Sequence, residues 1–101
     1  MDRITKEGLG GLALTINEVT GNPTEKYERG EDGKMAAQIG NYYISYAYGG
    51  ASLRRMVNTS DGASAVFGRG HMPKRALADL MHAFLRGYEA ARQQIEQEVG
   101  Q

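Results

Sequence analysis

The chain contains no cysteine. It can form no disulfide framework, thiolate nucleophile or cysteine metal site, so its stability must come from packing. Long apolar runs are missing too. No stretch approaches the roughly 18 consecutive apolar residues of a membrane span, and the start, MDRITKEGLG, lacks the apolar centre of a secretion signal. These absences predict a cytoplasmic protein with no membrane partner. Histidine occurs only as His71 and His82, too few for a clustered metal site. Catalytic patterns are also missing: there is no GxxxxGK[ST] loop, no paired-carboxylate motif, and no Ser, His and acid grouping that the sequence brings together. The glycines of GLGG, Gly8 to Gly11, follow no strand, which excludes a dinucleotide fingerprint. The expectation is a protein that is not an enzyme and needs no cofactor.

What is present fits a single domain. With 101 residues, 41% of them hydrophobic and 24% charged, the chain can bury one modest core but not two. The formal net charge is zero, yet residues 40–78 hold five Lys/Arg against one Asp/Glu, while residues 1–39 hold five against seven and residues 79–101 two against four. This gradient is too mild to coat nucleic acid, but it localises a positive patch in the middle of the chain.

Leu9, Leu12, Ile16 and Val19 recur at three- and four-residue steps, which predicts a first helix over about 5–20. Thr5 is its expected N-cap and TGNP, Thr20 to Pro23, its stop. The weak point is GLGG, where each glycine costs roughly 1 kcal/mol relative to alanine. Either the first turns fray or the glycines admit another backbone. KMAAQIG is expected to begin a sheet. NYYISYAYGGASLRRMVNTSDGASAVFG then alternates strand-favouring residues between the turn pairs Gly49-Gly50 and Asp61-Gly62. A turn at Gly49-Gly50 would place Tyr48 opposite Ala51, Tyr46 opposite Leu53, Ile44 opposite Arg55 and Tyr42 opposite Val57. Pro73 suits the first turn of a second helix, whose stripe of Leu77, Leu80, Met81, Phe84, Tyr88, Ala91 and Ile95 runs nearly to the C-terminus. The predicted fold is α+β: a helix, an antiparallel three- to four-stranded meander, and a long C-terminal helix, with both helices on one sheet face. The other face, carrying tyrosines, and the end of the last helix are the expected contacts of a homo-oligomer.

Two stretches could carry binding chemistry. In VFGRGHMPKRALADL, Arg69, His71, Lys74 and Arg75 crowd a helix start that already presents partial positive charge. That placement suits an anion held by first-turn amides, or else a solvated face with Lys74 and Arg75 paired to Asp79. In YGGASLRR, Arg54 and Arg55 follow a hairpin turn on opposite sheet faces, near Tyr46 and Tyr48. An arginine beside a tyrosine ring can grip phosphate while the ring stacks on a base.

The stretches IGNYYISYAYGGASLRRMVN and GHMPKRALADLMHAFLRG resemble small proteins of tailed phages and prophages of Gram-negative bacteria, in which IGN, AYGG and a GH-x-PKR-x-L helix entry recur. The likeness covers residues 16–87 and carries no catalytic residue. It implies an accessory protein that acts by binding in the bacterial host cell, as anti-CRISPR proteins block a nuclease complex and sponges sequester nucleotide signals. The segment order also resembles the double-stranded RNA-binding domain, with GRGHMPKRALADL similar to the start of its second helix. The chain departs from that family in having no recognisable loop with the family's histidine between its first two strands. The leading expectation is a counter-defence protein whose Arg54, Arg55, Arg69, His71, Lys74 and Arg75, with Tyr46 and Tyr48, hold a nucleotide or an acidic patch of a host defence protein. Nucleic-acid binding and a structural homo-oligomer are the alternatives.

Overall fold

The computed structural model describes residues 4–99. Helix α1 (Lys6–Thr20) starts where the sequence predicts: extended Thr5 accepts from the Gly8 N–H at 3.0 Å through its Oγ1, satisfying one first-turn amide. It stops at Gly21, whose left-handed φ of 73° lets the Asn22 N–H reach back to the Asn17 carbonyl at 2.9 Å.

Strands β1 (Tyr27–Arg29) and β2 (Met35–Ala37) then form a hairpin with Tyr27 opposite Ala37. KMAAQIG therefore does not open the main sheet. It folds back on the polar segment before it, because Gly33 at φ 80° closes a turn there, with its N–H on the Gly30 carbonyl at 2.9 Å. This small sheet is tied to the rest by the Gly40 N–H on the Met56 carbonyl at 2.9 Å and by the Tyr27 hydroxyl on Asp61 Oδ1 at 2.7 Å. The same hydrogen bond to Asp61 raises the Tyr27 pKa.

The main sheet comprises β3 (Tyr42–Ala47), β4 (Gly50–Met56) and β5 (Ala63–Ala65), antiparallel in the order β3-β4-β5. Its first turn corrects the expected register. Tyr46 faces Ala51, Ile44 faces Leu53 and Tyr42 faces Arg55, so the turn residues are Tyr48 and Gly49, with φ of 55° and 75°. Both values are positive, as a type I′ hairpin turn demands. Gly50 is used for something else. A Cβ there would lie 2.8 Å from the Met72 carbonyl oxygen, and only glycine lets the returning chain pair Ala51 with Met72. The second turn lies near the expected Asp61-Gly62 pair but spans residues 58–61: the Val57 N–H donates to the Gly62 carbonyl at 2.8 Å, and Asn58 Oδ1 accepts from the N–H groups of Ser60 and Gly62 at 2.9 and 2.8 Å.

Helix α2 (Lys74–Val99) follows the Met72 bridge. The core joins Leu9, Ala13 and Ile16 of α1, Leu77, Ala78 and Met81 of α2, and Ala51 and Leu53 of β4. Both helices therefore share one sheet face. Tyr42 belongs to that face, edge-on to Phe84 with centroids 5.9 Å apart. The expected tyrosine-rich open face is corrected accordingly: Tyr42, Ile44 and Tyr46 alternate towards the helices, and of the β3 tyrosines only Tyr43 lies on the other side.

Candidate functional site

The two arginines after the turn diverge as their adjacency in a strand requires. Arg55 lies on the helix side with its Cζ 5.5 Å from the Tyr42 ring centroid. Arg54, opposite Tyr43, lies on the other side, and its Nε is buried with no hydrogen-bond partner among the described residues. His71 joins the Arg54 side: its Nε2 is 3.0 Å from Ser45 Oγ, and its ring meets that of Tyr48 edge-on at 5.9 Å. Arg69 and Arg75 are exposed, on the preceding loop and the first turn of α2. The six cations read from the sequence therefore do not converge on one pocket.

A different grouping forms around the hairpin tip. Lys6, Tyr46, Ala47, Gly49, Gly50 and Lys74 line an open cleft of about 260 Å³. Lys6 and Lys74, the first residues of the two helices, both border it, so two lysines from different helix starts share one space; the α1 end is itself capped by Thr5 and carries Glu7 in its first turn. Pro73 precedes α2 and has no side-chain oxygen to cap it, which leaves the charge of that end without a local carboxylate or hydroxyl. Lys6 Nζ sits 4.9 Å from the Tyr46 ring centroid, and the Tyr46 hydroxyl donates to the Lys6 carbonyl at 3.3 Å. Burial raises the Tyr46 pKa.

Beside this cleft stands Tyr48. It is 98% exposed and holds a positive φ, a backbone region that costs a non-glycine residue roughly 1–2 kcal/mol. Of the residues expected from the sequence, Lys74, Tyr46, Tyr48 and His71 gather at or near the tip; Arg54, Arg55, Arg69 and Arg75 do not line its cleft. Lys6 was missed. It stands as an ordinary first-turn residue far from Lys74 in the chain, and only the sheet order brings the two helix starts together. Among the described residues no group of His, Asp and Glu could hold a metal ion, and no helix is long and apolar enough to cross a membrane.

No family model, no curated protein and no solved structure matches this chain.

Proposed function

We propose that this is a non-enzymatic binding protein that docks the hairpin tip on an acidic surface of a partner protein. The observation that carries the reading is Tyr48, an almost fully exposed ring on a strained turn. An Asn-Gly turn would serve the hairpin better, so the tyrosine adds nothing to the fold that a cheaper residue would not. Tyrosine is, however, among the residues that anchor protein interfaces. Lys6 and Lys74 beside it supply the positive rim that steers an acidic partner. The phage-protein resemblance favours a host defence protein as that partner. The layout is also similar to that of the double-stranded RNA-binding domain. The β3–β4 connection is only a two-residue turn, though, and gives no loop to enter a groove, so the protein partner is the better reading.

The test replaces Tyr48 by Asn and, separately, Lys6 and Lys74 by Gln. Tyr48→Asn is expected to raise the free energy of unfolding by about 1 kcal/mol, since it relieves the turn. The same change should lower recovery of the bound partner from bacterial cells by roughly tenfold or more. The lysine variants should weaken binding and flatten its salt dependence. Mass spectrometry of the native and the denatured complex reads the bound species. Equal recovery with Tyr48→Asn, or a released nucleotide in place of a protein, would overturn the reading.

A further inference from the structure

The hydrogen bonds of β4 reveal the state of its neighbour β3. Ala51 exchanges backbone bonds of 2.8 and 2.9 Å with Met72, and the Leu53 carbonyl accepts from the Val66 N–H at 3.0 Å. All three leave β4 on the side away from β3. In an antiparallel ladder the two residues of a non-hydrogen-bonded pair both turn their N–H and C=O groups away from each other. Tyr46, opposite Ala51, and Ile44, opposite Leu53, therefore direct theirs outward from the sheet's free edge.

The next outward residue shows what that edge accepts. The Tyr42 N–H donates to Asn17 Oδ1 at 2.8 Å, and its carbonyl accepts from Asn17 Nδ2 at 3.0 Å. The buried carboxamide stands where the peptide group of an added strand would stand, and it serves Tyr42 alone. The rest of the edge, YYISYA, has no proline, lysine or bulge to block pairing.

A cleft of about 290 Å³ runs beside this edge, lined among others by Gly10, Leu14, Tyr43, Tyr46 and Lys26. A Cβ on Gly10 would meet nothing within 4 Å, so the glycine leaves open space on α1 at a cost in helix propensity. Leu14 offers an apolar wall, 45% exposed. The charge is of one sign: no carboxylate lines the cleft. Lys26, which lines the cleft, has its Nζ 4.1 Å from the Tyr43 ring centroid; Lys6 lies outside it, on the adjoining hairpin-tip cleft, with its Nζ 4.9 Å from the ring centroid of Tyr46, a residue that lines both. Neither lysine forms an ion pair among the described residues.

We propose that the β3 edge binds an extended acidic peptide segment of a partner protein as an added strand. The backbone of the segment pairs with Ile44 and Tyr46, its alternate apolar side chains face Leu14 in the cleft, and its carboxylates face Lys26 and Lys6. Main-chain bonds provide affinity in this mode and the flanking cleft provides selectivity. The site shares Lys6 and Tyr46 with the hairpin-tip cleft but rests on the backbone groups of Ile44 and Tyr46 rather than on Tyr48, so Tyr48→Asn, which should disable the tip, should leave this site intact.

A displayed library of random dodecapeptides, panned on the full chain at low salt, tests it together with amide hydrogen exchange. Enriched peptides should alternate apolar and acidic residues. Binding should slow exchange at the Ile44 and Tyr46 amides by roughly tenfold or more, leaving the β4-bonded amides of Tyr43 and Ser45 unchanged. Gly10→Leu, which fills the cleft while favouring the helix, and Leu14→Glu, which repels an acidic segment, should each abolish binding. Failure to enrich peptides, slowed exchange elsewhere, or full binding by both variants would overturn the proposal. Ile44 and Tyr46 amides already protected in a free protein that sediments as a dimer would overturn it too, because a second copy would then hold the edge.

Discussion

Asn17 is 2% exposed in the middle of a helix, a place where a polar side chain costs free energy unless its hydrogen bonds are made. Both of its polar groups are used on Tyr42, so it joins α1 to β3 as a peptide group would. Asn17→Leu keeps the branched shape and heavy-atom count of the side chain, adds some bulk, and strips both bonds. It should lower the unfolding free energy by about 2 kcal/mol, seen as a fall in the urea midpoint at constant slope. An unchanged midpoint would mean that water serves Tyr42 as well as the carboxamide does. The periodicity of α1 gave no hint of this role, since a lone Asn beside Ile16 on an apolar stripe has no sequence partner to announce it. Tyr48 is the opposite case. It was visible as a residue near a turn, but its strain and exposure were not, because a tyrosine at a type I′ position goes against turn preference.

Between elements, local signals were readable and contact-dependent ones were not. The α1 cap, its glycine stop and the long stripe of α2 are written in neighbouring residues, and they fold as predicted. The hairpin register slips by two residues because Gly50 is required by Met72, a contact far along the chain. A slip of two keeps every side chain on its face, so the core read from the sequence survives the error. β1 was unreadable: its three residues are all exposed and carry no apolar alternation. The two roles of glycine can be separated by experiment. Gly50→Ala should destabilise by about 1–3 kcal/mol, since its Cβ would press on the Met72 backbone. Gly10→Ala should stabilise by about 1 kcal/mol, since it faces open space in a helix. Thermal or urea unfolding of the two variants reads both signs. A neutral Gly50→Ala would show that the Met72 bridge yields, and with it the entry to α2.

Over the whole molecule, the radius of gyration is 15.2 Å, against about 13 Å for a compact chain of this length. Much of that excess follows from α2, which outruns the sheet. Its stripe is buried at Leu77 and Met81, half-buried at Phe84 and Tyr88, and exposed from Glu89 through Glu98, including Ile95 at 59%. The helix continues on its own propensity and on exposed pairs such as Arg92–Glu96 at 3.8 Å and Gln94–Glu98 at 3.2 Å, each worth a few tenths of a kcal/mol. A helical end held so weakly adds little to the fold that carries it. Truncation after Glu89 should therefore change the unfolding free energy by no more than about 1 kcal/mol while reducing helical circular dichroism. The sequence-based expectation of a homo-oligomer makes the contrary prediction at this same place. If a second subunit covered Tyr88, Ala91 and Ile95, truncation would lower the unfolding midpoint steeply, and the midpoint of the full chain would rise with protein concentration. A concentration series on both chains decides whether the overhang belongs to an assembly or is a solvated extension of a fold completed by residue 89.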